Sequence, residues 1–436
     1  MNWLYIFLVN LIYLPSIYYG VISDDAMLLL KTGYPVRFTK LKSVILHILV
    51  AEYIYFAFGC TDISFAAALL FSVHSTCIQV SVWISGRSYG LNALIFLMIL
   101  AFAPFAITLF FVAEAGIATV LFTPLVFLFT KHWYIAVLFP LLAWYSYDKI
   151  NANLTAKIEG KGEFNNPLPK DFELHKWNWM NLIIVIKTYG YYFLHCLLPI
   201  KNGFYNSFLV TRGTSRKATN YWYSFNRHFW GGLIAIIITV VIWANNIGNF
   251  TGMGALLFFL TIGPFLNFIT VQQLTAPRYA YLPLIGYQMA LMGLVFQLPL
   301  PTRCAIIGAL FIFYLDRTLR VMPHYKKNTS KLIELESQVF PDNPRVWQYQ
   351  YDQMMNAGNA VMAWAFAASG LRYLPEDCQL WFGLCCASYE LGDMNAAMLY
   401  LKNTEKFIMQ TDQREMLGII AEMKSRINAR LEKKWK

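Results

Sequence analysis

Residues 229–248 read FWGGLIAIIITVVIWANNIG, a run of twenty residues without a charged side chain. A helix of about 20 apolar residues spans the hydrocarbon core of a bilayer, which is about 30 Å thick. Ten further predominantly apolar segments, some of which contain charged residues, occur along the chain at 3–19, 43–60, 63–83, 90–112, 115–130, 133–147, 180–199, 252–270, 281–299 and 303–321. The pattern predicts an all-α, polytopic membrane bundle of about 11 transmembrane helices.

The composition agrees with a membrane protein. Hydrophobic residues make up 58% of the 436 residues and charged residues only 14%, whereas a soluble domain carries about 25% charged residues. These values exclude a disordered chain, a disulfide scaffold and an ordinary cytosolic enzyme. The seven cysteines have no regular spacing, which argues against a disulfide framework or a zinc site.

The net charge of +11 is distributed unevenly. Residues 1–323 hold 21 Lys/Arg and 11 Asp/Glu, whereas residues 324–436 hold 14 and 13. An excess of positive charge on the apolar part suits contact with phosphate-bearing membrane lipids and argues against nucleic acid as a partner. The alternative interpretation is that basic loops only anchor helices at the lipid headgroups.

The sequence after Pro323 changes character and repeats with a period of 34 residues. Three positions recur at this spacing: Pro341 and Pro375, Trp347 and Trp381, and Gly358 and Gly392. A period of 34 is typical of tetratricopeptide repeats, in which pairs of helices stack against their neighbours. We therefore expect a membrane domain over residues 1–323 and a short tetratricopeptide-repeat α-solenoid over residues 324–436, with a surface that binds peptide or protein.

Two carboxylates, Asp24 and Asp25, follow the first apolar segment. Because a charge within hydrocarbon is costly, we expect the pair at the membrane boundary or in a wet cavity. Adjacent carboxylates can bind a divalent metal, or one can act as a general base while the other positions an acceptor. The alternative is structural, with Ser23 or Asp24 as the N-cap of a short helix over residues 26–31.

Two further polar segments lie at the ends of apolar runs. One starts at His74 and ends in WISGR at residues 83–87, and the other is RYAYLP at residues 278–283. Arginine binds phosphate bidentately and stays charged, so Arg87 and Arg278 are candidate phosphate ligands. The alternative is an interfacial belt of Trp and Tyr with snorkelling arginines.

Together, these features resemble the transmembrane and tetratricopeptide repeat-containing proteins, which are glycosyltransferases of the GT-C class. The acidic pair, the two arginine segments and the 34-residue repeats match that family in order and spacing across nearly the whole chain. The WISGR segment is the most specific element of the match. The sequence differs from the family pattern at Ser75, Cys77, Gln79 and Pro277.

The resemblance implies a GT-C fold and an inverting transfer of a sugar from a polyprenyl-phosphate-linked donor to an extracytoplasmic acceptor, a protein hydroxyl or a glycan. Asp24 or Asp25 would accept the proton of the acceptor, and Arg87 and Arg278 would stabilise the departing lipid phosphate. The residues that would orient the donor are His74, Tyr279 and Tyr281. A divalent metal at the acidic pair fits this chemistry, although the sequence shows no second set of ligands that would require one.

The predicted topology can bring these segments to one face. With eleven spans and the N-terminus inside, the loops at 20–42, 84–89 and 271–280 share one side of the membrane. The resemblance places that side and the repeats outside the cytoplasm, and the compact chain favours a prokaryotic inner membrane over the endoplasmic reticulum. The basic residues of 20–42 and 200–228 favour the opposite orientation under the positive-inside rule, unless they are held there to bind lipid phosphate.

Two other classes of function compete with an enzyme. A non-catalytic membrane scaffold would recruit partners through the repeats, although eleven spans exceed what an anchor needs. A transporter would use His47, Glu52 and Lys187, which are ionisable residues within the predicted spans, as an ion path. No inverted repeat of broken helices is evident in the sequence to support a transporter.

Overall fold

The computed structural model describes residues 2–20, 35–112, 179–200, 224–266, 275–326, 328–339, 341, 343–408 and 416–434. The secondary structure of these residues is helical and contains no strand, which confirms the all-α class. The chain forms two compact units. The first holds the described residues of 1–165, 185–202 and 230–331, and the second holds those of 166–184, 203–229 and 332–436.

Ten α-helices lie wholly or mainly in the described part of the first unit. They are α1 (Asn2–Asn10), α2 (Val36–Ala57), α3 (Asp62–Val73), α4 (Ile78–Ser81), α5 (Arg87–Val112), α6 (Trp179–Leu197), α7 (Arg227–Asn245), α8 (Phe250–Ile262), α9 (Tyr281–Val295) and α10 (Leu300–Val321). Short 3-10 helices join some of them, at Leu11–Tyr18, Ser75–Cys77, Ile84–Gly86, Gly263–Phe265, Pro277–Ala280 and Met322–Tyr325.

Most of these helices coincide with the predicted apolar segments to within a few residues. The segment at 63–83 differs, because the predicted single span is broken at His74. There α3 ends, and the helical stretch from Ser75 to Ser81 continues at an angle of 57°. The predicted spans at 115–130 and 133–147 lie outside the described residues.

Side chains from other parts of the chain satisfy the backbone at this break. A helix that ends leaves its last carbonyl groups without partners in the helix, and such groups are costly when buried. Thr318 Oγ1 donates to the carbonyl of Val73 at 2.7 Å, and the hydroxyl of Tyr13 donates to the carbonyl of Ser72 at 3.1 Å. Contacts from α10 and the 3-10 helix after α1 therefore stabilise the broken helix.

Several helices of the first unit carry apolar side chains that face outward. Among the described residues, α7 is the one helix long and apolar enough to cross a membrane, and the bent stretch from α3 to α4 adds a second if it is counted as one span. The large exposed residues of α7 are Trp230, Ile234, Ile237, Ile238, Val240, Val241 and Trp243. The number of membrane spans therefore stays a prediction.

The described part of the second unit contains a first helix, two helix pairs and a final helix. Its main helices are α11 (Asn328–Val339), α12 (Pro344–Asn356), α13 (Ala360–Leu371), α14 (Cys378–Glu390), α15 (Met394–Ile408) and α16 (Met416–Lys434). The pairs are α12 with α13 and α14 with α15. Buried Ile420 and Ile427 of α16 pack with Leu401 and Ile408 of α15, so α16 covers the apolar face of the second pair.

The 34-residue sequence repeat corresponds to repeated local geometry. Trp347 Nε1 donates to the carbonyl of Pro341 at 2.7 Å, and Trp381 Nε1 donates to the carbonyl of Pro375 at 2.9 Å. In both pairs a glycine with positive φ follows the first helix: Gly358 at +72° and Gly392 at +81°. Asn359 and Asp393 then cap the second helices through their side-chain oxygens.

Replacing Gly392 by Ala tests whether this turn limits the stability of the second unit. A residue with a Cβ is strained at positive φ by roughly 1–2 kcal/mol, so we expect faster tryptic cleavage of residues 332–436 in the full-length protein. Gly418→Ala is the matched control, because Gly418 lies within α16 and a Cβ there meets open space. Equal cleavage rates in the two variants would contradict this expectation.

Candidate functional site

The two arginine segments meet in the first unit. Arg278 lies in the 3-10 helix before α9 and is 3% exposed. Its Cζ atom lies 4.9 Å from the centroid of the Trp83 ring and 5.0 Å from that of Tyr279. Gln79 Oε1 accepts hydrogen bonds from the Arg278 backbone N–H at 3.3 Å and from Nη1 at 3.5 Å. We call Gln79, Trp83, Arg278 and Tyr279 the Arg278 cluster.

Gly86 allows the tight turn that follows Trp83 and places its ring beside Arg278. The backbone N–H of Gly86 donates to the carbonyl of Trp83 at 3.1 Å. A Cβ atom at Gly86 would overlap the carbonyl oxygen of Gln79. The turn can close against α4 only because this residue has no side chain.

Aromatic side chains hold Tyr279 and the backbone before Arg278. The ring of Tyr279 stacks on Phe265, with centroids 4.9 Å apart and an angle of 10° between the planes. The ring centroid of Tyr89 of α5 lies 5.8 Å from that of Tyr279 and 6.4 Å from that of Phe265. The hydroxyl of Tyr192 accepts from the backbone N–H of Ala276 at 3.1 Å. Side chains of α5, of α6 and of the 3-10 helix Gly263–Phe265 thus converge on the residues around Arg278.

The electrostatics of the cluster keep Arg278 positively charged. Burial, the largest single influence, lowers the pKa of the guanidinium, but Tyr279, Tyr89 and Tyr192 together raise it, so its net pKa lies above the ordinary value. Aromatic faces attract a cation through the ring quadrupole. Away from bulk water the attraction between this charge and an anion is stronger than at an exposed surface. The arrangement is chemically suited to binding a phosphate.

The second predicted phosphate ligand, Arg87, is the first residue of α5 and is half-buried. It directly follows Gly86, so the same turn that presents Trp83 also starts the helix that carries Arg87. The sequence analysis identified both arginines, but it did not identify Gln79 and Tyr89 as partners of Arg278. No sequence pattern links Gln79 to Arg278: α4 ends at Ser81, and Trp83 lies in extended backbone beyond it.

His74 and Tyr281 are fully buried, and groups of the protein itself occupy their polar atoms. Nδ1 of His47 lies 2.7 Å from the hydroxyl of Tyr281. Nε2 of His74 lies 3.1 Å from the carbonyl oxygen of Cys196, and Nδ1 accepts from the N–H of Thr76 at 3.3 Å. These contacts give both residues a part in packing the first unit. Their predicted role in orienting a sugar donor stays a prediction.

The acidic pair Asp24 and Asp25 lies outside the described residues. The described chain before the pair ends at Gly20, whose carbonyl accepts from Nζ of Lys40 at 2.7 Å and whose N–H donates to the carbonyl of Lys326 at 3.1 Å. Within the described ranges, no group of three or more His, Cys, Asp or Glu side chains is arranged to bind a metal. Asp24 and Asp25 are not among those ranges, so a metal bound by this pair stays a prediction.

A Gly86→Ala variant tests the close contact that forms the turn at Trp83. Because the new Cβ would overlap the carbonyl of Gln79, the turn must open, and overpacking of this kind destabilises a protein by about 1–3 kcal/mol. We expect a lower thermal unfolding temperature for the detergent-purified protein. Gly231→Ala in α7 serves as the control, since a Cβ there meets nothing within 4 Å. An unchanged unfolding temperature for Gly86→Ala would show that this close contact does not affect the stability of the protein.

Comparisons with known proteins found no matching family model, no matching curated protein and no matching solved structure. The function is therefore inferred from the chain's own residues and from the geometry that brings them together.

Proposed function

We propose that this chain is a GT-C class membrane glycosyltransferase, which transfers a sugar from a polyprenyl-phosphate-linked donor to an acceptor hydroxyl with inversion. The observation that carries the proposal is the contact between Arg278 and the pair Gln79 and Trp83. These are the two segments on which the family resemblance rests, and they lie 199 residues apart in the sequence. Their meeting forms a buried cationic site beside aromatic faces.

The chemistry assigned to the site is charge stabilisation at a leaving group. As the bond between the anomeric carbon and the phosphate oxygen breaks, negative charge grows on the lipid phosphate. Arg278 and Arg87 would supply the compensating charge, and preorganised donors of this kind lower the barrier to transfer. The acceptor hydroxyl attacks the opposite face of the sugar and passes its proton to Asp24 or Asp25.

The outward-facing apolar residues of the first unit support a membrane location. Large exposed apolar patches are rare on soluble proteins, yet α7 exposes Ile234 and Ile237 by more than half. α1 likewise exposes Trp3 and Tyr5. We propose that this unit is the predicted bundle of eleven spans and that it receives its donor lipid from the bilayer. In the proposed orientation, the site faces the extracytoplasmic side of a prokaryotic inner membrane.

The repeated geometry of the second unit supports a tetratricopeptide-repeat solenoid. Helix pairs that stack on one another need equivalent local geometry, and the two pairs share the same Trp–Pro hydrogen bond and the same glycine turn. We propose that this unit holds a protein acceptor or a partner protein.

A non-catalytic membrane scaffold is the alternative, and the same repeats favour it. If the protein is only a scaffold, the intact protein will not transfer sugar, whereas an enzyme will. We would assay the detergent-purified chain against a panel of undecaprenyl-phosphate-linked hexoses with a small hydroxyl acceptor. Transfer from any one of these donors excludes a scaffold without activity.

Replacing both Asp24 and Asp25 by Asn tests the proposed base. General-base catalysis contributes about 10²–10⁴-fold to a rate, so we expect transfer to fall by at least about 100-fold with an unchanged unfolding temperature. Asp62→Asn is the control, because Asp62 is an exposed carboxylate at the start of α3. Full activity in the double variant would remove the pair as the base.

Replacing Arg278 by Met tests the proposed phosphate ligand. Loss of one charge-stabilising group in an active site typically lowers the rate by about 10²–10³-fold, and we expect a loss of that order. Arg320→Met is the control, because Arg320 is an exposed residue of α10 that pairs with Asp316. The transfer rate and the unfolding temperature would be measured together. If transfer by Arg278→Met equals that of the control, Arg278 does not act on the donor.

A further inference from the structure

One helix of the second unit, α13, has no charged side chain and an exposed apolar face. Residues 353–371 contain no Asp, Glu, Lys, Arg or His, and Ser369 is the one residue of α13 with a hydroxyl or amide side chain. Val361 is 62% exposed, Met362 42% and Trp364 37%. We call these three residues the α13 face. Water contact with an apolar surface of this kind costs free energy, which a partner that covers the surface removes.

The fold of the repeat does not require this apolar face, as the equivalent helix α15 shows. At the positions that follow Val361 and Ala368 by one repeat, the sequence has Asn395 and Lys402. Both of these polar residues are exposed. Because α15 packs against α14 as α13 packs against α12, polar side chains at these positions are compatible with a stable helix pair. The apolar residues of the α13 face are therefore explained by contact with something outside the pair.

We infer that the α13 face lies on the surface of the lipid bilayer, with its side chains at the boundary between headgroups and hydrocarbon. The inference rests on the proposed membrane location of the first unit, and it assigns a surface that the proposed function leaves without a role. At 12 residues, α13 is too short to cross a bilayer, since about 20 residues are needed. It can lie in the plane of the interface, as surface-bound helices do.

The residue types around the face are those that membrane interfaces favour. Trp and Tyr are enriched where headgroups meet hydrocarbon, because their rings are apolar and carry one polar group. Trp364 lies on the face, and Tyr373, which is 53% exposed, follows the helix. Arg372 precedes Tyr373 and is also exposed, so it supplies a positive charge for anionic headgroups.

Hydrogen bonding favours a bilayer over a protein as the occupant. A protein interface carries about one hydrogen bond per 100–200 Å², whereas lipid hydrocarbon requires none. Of the three side chains in the α13 face, only that of Trp364 has a strong hydrogen-bonding group. The face therefore suits lipid better than a peptide or a second copy of this chain. Since the first unit would keep the chain at the bilayer, the contact is intramolecular and needs little area.

The test is photo-crosslinking of the full-length protein in nanodiscs of phosphatidylethanolamine and phosphatidylglycerol. The photoreactive residue p-benzoyl-phenylalanine replaces Val361 in one variant and Asn395, the equivalent residue of α15, in a second. Adducts are identified by mass spectrometry after digestion. We expect at least about fivefold more lipid adduct at Val361 than at Asn395, since burial of even one Val-sized side chain favours the bound state by more than that factor.

Ile237 of α7 is the third site for the photoreactive residue, because it is 53% exposed and the proposed function places it in lipid. If the Ile237 site forms lipid adducts and the Val361 site forms no more than the Asn395 site, the inference is wrong and the proposed membrane location stands. If neither Ile237 nor Val361 gives lipid adducts, both are wrong. Adducts at Val361 with a second copy, another protein or another segment of this chain, in place of lipid, would also overturn the inference.

Ala368→Glu tests whether the apolar character of the face drives the contact. Ala368 lies two turns after Val361 on the same side of α13, and exposed Lys402 at the equivalent position of α15 shows that the fold accepts a charge there. A carboxylate beside hydrocarbon and anionic headgroups is costly. We expect the lipid adduct at Val361 to fall to the level at Asn395, with the unfolding temperature and the adduct at Ile237 unchanged. An unchanged yield at Val361 would contradict the inference.

Discussion

A buried guanidinium requires groups around it that replace water, because an isolated charge in a protein interior is very costly. In the first unit that requirement is met at Arg278 by the side-chain oxygen of Gln79 and by the faces of Trp83 and Tyr279. The contact ties a turn after α4 to the start of α9. The other features of the candidate site follow from the need to bring these two segments together.

The broken helix at His74 is the first of those features. An unbroken helix from Asp62 would advance about 1.5 Å per residue and would carry Gln79 and Trp83 in a straight line away from the break. The bend of 57° redirects them. A break in a helix is tolerated inside a protein where its backbone polar groups find partners, and residues 66–84 are almost all buried. Tyr13 and Thr318 then satisfy the carbonyl groups that the break releases.

The second unit is organised by local rules that repeat. Its tryptophans, positive-φ glycines and capping residues recur at the same spacing and make the same contacts, so each pair of helices is specified by its own sequence. The first unit differs, because its candidate site depends on side chains supplied by distant segments. A candidate site built on such long-range contacts can be altered at one residue without changing the helices that support it.

Helix positions, the all-α class and the 34-residue period could all be predicted from the sequence, because apolar periodicity, capping residues and glycine turns act over a few neighbouring residues. The arginines at 87 and 278 could be chosen as candidates, since their residue type and their place at the ends of apolar runs are visible in the sequence, and their role as phosphate ligands stays a prediction. The break at His74 was not predicted, because it depends on hydrogen bonds from Tyr13 and Thr318. The pairing of Gln79 with Arg278 was likewise decided by tertiary structure alone, since a hydrogen bond between residues 199 positions apart leaves no periodic trace in either segment.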